Sequence, residues 1–297
     1  MIVFLQQLIN GLSVGAVYAL IALGYTMVYG ILRFINFAHS DVFMVGAFCG
    51  FYFGRWETGH SLAGGLLVMV MAMAVCALLG IIIERLAYRP LRGSSNLAVL
   101  ITAIGVSLFL ENAGQLVFGA DPKPFPPLIP ERNFTSPAGL TISSNQLLVF
   151  AVTGVLLIAL QWIVMRTKIG TAMRAVAFNH QAAALMGINV DLIVSFTFGL
   201  GSALAAAGGI LYGLNYPSID PYMGVLPGLK AFVAAVLGGI GNIPGAALGG
   251  LLLGLIETFV KGSRLSTYSD AIAFAVLILI LLFRPAGLLG KFQVEKV

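Results

Sequence analysis

"VYALIALGYTMVYGILRFINFAHSDVFMVGAFCGFYFG" (17–54) holds two apolar runs separated by nine residues, "RFINFAHSD" (33–41), which carry Arg33, Asn36, His39, Ser40 and Asp41. As a helix, the second run (42–54) reaches only about 20 Å at ~1.5 Å per residue. The hydrocarbon core of a bilayer is ~30 Å thick. The run therefore crosses only if part of 33–41 also lies at membrane depth. This stretch predicts a helix broken inside a membrane, not a loop between two soluble helices.

Composition supports that reading. Hydrophobic residues make up 59% of the 297 positions and charged residues 9%, and mean hydropathy is +1.01. A water-facing surface needs roughly a quarter of its residues charged. The start, "MIVFLQQLIN", has no basic n-region, so the first apolar segment is expected to be retained rather than cleaved. Cys49 and Cys76 both sit in apolar runs and are expected to be free thiols. The net charge of +5 does not call for nucleic acid, because basic residues in membrane proteins gather in cytoplasmic loops.

The clear spanning candidates are 5–29, 61–83, 96–118, 144–165 and 192–214, with 36–54 and 265–283 added by topology. The loop "ERLAYRPLRG" (84–93), with three arginines to one glutamate, is placed inside. The Pro-rich segment 119–143 is placed outside. The loop 166–191, carrying Arg166, Lys168 and Arg174, returns inside, and 215–228 falls outside. Residues 55–60 then lie outside, and so does the N-terminus if 5–29 and 36–54 both cross. The tail, with Arg284, Lys291 and Lys296 against Glu295, belongs inside. An odd number of passages must separate 215–228 from that tail. "LKAFVAAVLGGIGNIPGAALGGLLLGLIETF" (229–259) is too long for one upright crossing, and its centre, "GGIGNIPG" (238–245), should break a helix. A re-entrant hairpin there followed by one crossing gives the odd count. The expected architecture is one all-α domain over 1–297, a polytopic bundle of about seven or eight crossings with breaks near 33–41 and 238–245. Small residues at Gly11/Gly15, Gly245/Gly249 and Gly250/Gly254 have the spacing that lets helices approach closely in lipid.

Catalytic motifs are missing. The nearest approach to a phosphate-binding P-loop, "PAGLLGKF" (285–292), has Pro285 where glycine is needed and Phe292 where Ser or Thr is needed. No HExxH, CxxC or GxSxG occurs, so the sequence gives no support to an integral-membrane enzyme.

Two groups of residues bear on function. In the 166–191 loop, Thr171 can cap a helix, "AMRAVAFNHQAAALM" (172–186) favours one, and Gly187 can end it. Met173, Val176, Ala177, Ala183 and Ala184 form a stripe at helical spacing, with Arg174 and His180 pointing elsewhere. Such a helix either rests on its own bundle and the lipid, or docks into a groove of a cytoplasmic partner by its apolar face. The second group is polar residues at membrane depth: Asn36, His39, Ser40, Asp41, Glu111 and Asn112, with Gly239 and Asn242 in the second break. Such groups face the bundle interior or a path. For each, a structural reading stands beside a translocation-path reading: Asn36 and Ser40 bonding freed backbone groups, His39 and Asp41 capping the next helix, Glu111 partly hydrated. Arg33 reads as an anchor at the inner face.

Four stretches, 9–48, 167–190, 228–257 and 270–290, together resemble the permease subunit of bacterial branched-chain amino acid ABC importers. The resemblance implies a multi-pass inner-membrane subunit working by alternating access. It implies a second, related permease, two cytoplasmic ATP-binding subunits that use ATP and Mg, and a periplasmic substrate-binding protein; membrane lipid surrounds the chain, and no nucleic acid is involved. It implies no cofactor or metal on this chain. It also identifies 167–190 as the segment that contacts the ATPases, with Gly170, Met173, Arg174, Val176, Ala177, Ala183, Ala184, Leu185, Met186 and Gly187 as coupling residues. Two departures stand out: Ser40 replaces a usual glycine, and Asn179, His180, Gln181 and Ala184 replace the usual charges. Carriage of urea, short amides or another small polar solute remains the alternative.

Overall fold

The computed structural model describes residues 2–56, 61–137 and 139–290, without the side chain of Asn96. Lys291, Glu295 and Lys296 of the tail, Phe292 and residues 57–60 of the 55–60 connection lie outside the described residues.

Eleven α-helices run through the described residues: α1 Ile2–Leu32, α2 His39–Gly54, α3 Leu62–Ile83, α4 Asn96–Phe118, α5 Ser144–Arg166, α6 Lys168–Phe178, α7 His180–Leu185, α8 Val190–Asn215, α9 Val225–Gly238, α10 Ile243–Lys261 and α11 Ser269–Phe283. Among the described residues, seven spans are long and apolar enough to cross a membrane: α1, α3 with its extension to Leu91, α4, α5, α8, α10, and α11 with its lead-in from Ser266. The helix starts follow local chemistry. Ser61, Ser95, Asn189 and Asn242 each accept a bond from a backbone N–H in the first turn of the next helix. Ser143 and Gln146 form a reciprocal capping box on α5.

The centre of the bundle is α1, buried along most of its length. It runs antiparallel to α10, and glycines set the spacing. A Cβ at Gly15 would lie 2.7 Å from the Leu251 Cα, and one at Gly254 would strike the Gly15 backbone. In lipid, where burial of apolar surface drives nothing, this backbone proximity maximises dispersion contact. Helices α2 and α8 pack beside α1, with Gly46 against Ala206 and Gly209 against the Phe43 carbonyl.

Helices α2 and α9 are too short to cross: 16 and 14 residues. Both begin inside the protein and meet there. The Ser40 carbonyl and Cβ occupy the space that side chains at Gly224 and Gly228 would need. From this meeting point α2 runs to the outer side, where Gly54 touches Leu128, and α9 runs to the inner side. Helices α9 and α10 form an antiparallel hairpin closed at 239–242, as Gly238 on Gly245 and Ala234 on Gly249 show. Its turn lies beside Gly30, near the inner end of α1, so the hairpin reaches full depth. The passage count after 215–228 is odd, as the charge pattern requires.

On the outer side, Lys123–Pro124 pairs with Ser218–Ile219, and Asn133–Thr135 with Thr141–Ser143, both antiparallel. Gln6, at the start of α1, exchanges hydrogen bonds with Thr141. That places the N-terminal end of α1 on the outer side. The Pro-rich loop is anchored by Phe125 and Leu128, buried against Gly213 and Gly54.

Candidate translocation and coupling site

Between α1 and α2 the chain turns sharply. Arg33, with φ +56°, is the one non-glycine residue in the left-handed region among the described residues. Residues 33–38 then lead inward to the start of α2. The first amides of α2 are met by backbone carbonyls of 36–38, not by side chains. No side chain caps α2 at Ala38, where a tight backbone turn serves instead, but Asp41 does stand in the first turn, at the helix's positive dipole end.

Each polar side chain of the stretch has a specific partner. The Asn36 Oδ1 accepts from the Tyr88 hydroxyl at 2.5 Å. The His39 Nε2 lies 3.2 Å from the Ile21 carbonyl, so that nitrogen carries the proton. Its ring fills the space left by Gly24 and meets Tyr25 edge-on at 4.8 Å. Ser40 Oγ donates to the Phe37 carbonyl at 2.8 Å. The Ser107 Oγ donates to Asp41 Oδ2 at 2.5 Å. Glu111 lies one turn beyond Ser107 on α4 and is half-buried; Asn112 is exposed and donates to its own helix at the Leu108 carbonyl. Asp41, Ser107 and Glu111 thus gather along the α2–α4 contact, while Asn36 and His39 are held elsewhere.

The second break is closed from below. Gly239 (φ +106°) and Gly241 (φ +91°) make the turn, and Asn242 caps α10 while donating to the Leu289 carbonyl at 2.7 Å. Leu288 and Leu289 donate to the carbonyls of Leu237 and Gly238, the orphan acceptors at the end of α9.

The inner-face segment differs from its expected form in two ways. It is two helices, because Asn179 adopts an extended conformation and caps α7 through Ala182 N. The cap of α6 is Thr167, not Thr171, through Gly170 N at 3.0 Å. Gly187, with φ +83°, ends α7 as expected. The apolar stripe is real but faces the protein: Gly170, Met173, Val176 and Ala183 are buried, and Ala177 is half-buried. The opposite side carries Phe178 (88% exposed), Leu185 (88%) and Met186 (83%), beside exposed Arg174, Ala184 and Gly187. Leu32, Arg33, Phe178 and His180 border one cavity of about 320 Å³, which puts the first break directly against this segment.

Two charge clusters went unweighed in the sequence. Lys230 (α9) bridges Glu257 (α10) at 2.7 Å and Asp270 (α11) at 2.6 Å; Lys261 and the Tyr18 hydroxyl also reach Glu257. Lone charges within apolar runs were the available signal. At the inner face, the fully buried Glu84 meets Arg92 and Ser195, and Asp191 meets Arg89 and Arg92. Glu84 and Tyr88 bound a π-helical turn that extends α3.

A polytopic helical bundle with broken helices, buried polar anchors and an amphipathic helix pair on its inner face defines an integral membrane protein of the transport class. The family model described as "Branched-chain amino acid transport system / permease component" matches residues 7–281, and the chain belongs to that family. It is 48% identical to the high-affinity branched-chain amino acid transport system permease protein BraD of Pseudomonas aeruginosa, over 99% of this chain and 98% of that one. It is 42% identical to the corresponding protein LivH of Escherichia coli K12, with the same coverage of each chain. A probable LivH of Methanocaldococcus jannaschii is 28% identical over 91% of this chain and 88% of its own length.

Proposed function

We propose that this chain is the membrane-spanning permease subunit of an ATP-driven importer for branched-chain amino acids in a bacterial inner membrane. Family membership and the full-length relatives support it over the urea or short-amide alternative. Two separate ATP-binding subunits supply ATP and Mg chemistry, a second related permease completes the membrane part, and a periplasmic binding protein delivers substrate. The chain itself binds no cofactor.

The observation that carries the coupling role is the triad Phe178, Leu185 and Met186. Large apolar side chains exposed above 80% on a basic inner face have no use in water. They fit a groove on a cytoplasmic partner. Met173, Val176 and Ala183 bind the same helices to the bundle, so force on the triad moves α6 and α7 as a unit with the inner ends of α1 and α8. The cavity at Arg33 and His180 conveys that movement to the break at 33–38. In this reading Asp41, Ser107 and Glu111 border the path, and Asn36, His39, Gly239 and Asn242 position the broken helices. The test is leucine uptake by proteoliposomes holding the complete transporter and its binding protein. Uptake should require ATP; equal flux through the purified chain alone without ATP would show a passive channel and refute the proposal.

A further inference from the structure

We propose that the inner-face cavity between the end of α3 and the start of α8 binds the headgroup of an anionic phospholipid. The cavity measures about 370 Å³ and is partly open. Ile81, Leu192 and Phe196 form its apolar wall; Arg85, Arg89 and Asn189 form its polar end.

Charge sets the ligand. Asp191 also lines the cavity, but its carboxylate is held by Arg89 and Arg92, and Glu84 is held by Arg92. Three arginines against two acids leave one positive charge, and it resides on Arg85. Among the described residues Arg85 is exposed and makes no hydrogen bond or ion pair. A guanidinium presents a planar fork suited to phosphate oxygens.

Position sets the source of that phosphate. Arg85 lies in the π-helical turn near the inner end of the Leu62–Leu91 span, in the arginine-rich stretch placed at the cytoplasmic interface. Its neighbours Ile82 (43% exposed) and Leu86 (75% exposed) present apolar surface toward lipid. A lipid bound here lays its acyl chain along Ile81 and Phe196 and its phosphate against Arg85, which a free anion cannot match. Basic pockets between spanning helices on the cytoplasmic side are suited to acidic headgroups, each arginine contributing roughly five-fold in affinity.

Native mass spectrometry of the purified full chain tests this, with dioleoyl phosphatidylglycerol or dioleoyl phosphatidylcholine added to the detergent. Wild type should retain phosphatidylglycerol at least five-fold better than phosphatidylcholine. Arg85→Gln should abolish that preference, Arg85→Lys should keep part of it, and Arg166→Gln, on the same face, should change nothing. An unchanged preference in Arg85→Gln overturns the proposal. So does displacement of phosphatidylglycerol by millimolar inorganic phosphate, which would mark a free-anion site. In the assembled transporter, a photocrosslinker at Leu192 should capture lipid; capture of another subunit instead overturns the proposal.

Discussion

The Tyr88 hydroxyl donates to the Asn36 Oδ1 at 2.5 Å, tying the π-helical turn after α3 to the break between α1 and α2. Both residues are buried, and the Tyr88 ring is wedged between Phe34 and Phe198. Four residues earlier on the same turn, Glu84 is clamped through Arg92 to Asp191, in the first turn of α8. One turn of π-helix therefore touches the break and is linked, through Arg92, to the start of α8, directly after the segment proposed to meet the ATPases.

Tyr88→Phe removes only the hydroxyl and leaves the Asn36 carbonyl oxygen unpaired in a buried site. The expected penalty is about 1–3 kcal/mol. Thermal unfolding of the detergent-solubilised chain should show it, and uptake should fall by more than the loss of folded protein explains. A Tyr88→Phe protein with wild-type melting and uptake would make this bond incidental.

Burial and exposure divide the inner-face segment into two classes of variant. Phe178→Asp, Leu185→Asp and Met186→Asp should leave the chain folded in the membrane and prevent copurification of ATP-binding subunits. Met173→Asp buries an unpaired charge and should deplete the chain itself from the membrane. Immunoblots of membranes and of affinity-purified complexes distinguish these outcomes. Equal recovery of ATPase in all four would remove the docking role.

Glycines of similar sequence context should respond oppositely. Gly15→Ala places its Cβ 2.7 Å from the Leu251 Cα, on backbone that cannot step aside, and should lower folded yield. Gly105→Ala and Gly154→Ala meet nothing within 4 Å and lie within α4 and α5. They should be neutral or stabilise by about 0.5–1 kcal/mol, as read from melting temperatures.

Lys230 and Glu257 are both buried and ion-paired across the α9–α10 hairpin. Lys230→Met and Glu257→Met should each destabilise, but by less than the roughly 3 kcal/mol of a fully stranded charge, since Lys261 still reaches Glu257 and Asp270 still reaches Lys230. The double variant should lose much less than the sum. Additive losses in a double-mutant cycle would show that the two charges are not coupled.

Burial first, then the positive charges of Arg92 and Arg33, hold the His180 imidazole below its ordinary value of 6.5. As pH falls, the unfolded chain takes up this proton before the folded chain does, so the contribution of His180 to stability declines below about pH 6.5. Because the residue is exposed, the effect should be small. The melting temperature should drop slightly more between pH 7 and 5.5 in wild type than in His180→Gln. A steeper drop in His180→Gln would reverse the sign.

The spans were legible because apolar length is a local property, and the breaks because Pro, Gly and polar groups interrupt apolar runs. Gly11/Gly15 and Gly250/Gly254 were each legible by spacing as sites of close helix approach, but not as each other's partners. The partners of the polar groups were not: Asp41 meets Ser107 and Asn36 meets Tyr88 across dozens of residues. Of the stripe Met173, Val176, Ala177, Ala183 and Ala184, all but the exposed Ala184 share the bundle-facing side, but periodicity cannot say whether an apolar face meets its own bundle or a partner. The split at Asn179 was missed because an Ala-rich run outweighed one side chain able to cap the following turn.

The short helices α2 and α9 also bear on how the chain is made. Each is shorter than a bilayer core, and each begins against the other, at Ser40 and Gly224. While the ribosome is still translating the middle of the chain, α1, α3 and α4 already flank the first turn of α2 through Ile21, Cys76 and Ser107, but the packing of Gly224 and Gly228 on Ser40 is still missing. Its final seat exists only once Gly228 has emerged, nearly 190 residues after Ser40. Biogenesis is therefore not a procession of spans added one at a time. The α1–α2 junction must wait, half-placed, for a segment from the far end of the polypeptide to lock it.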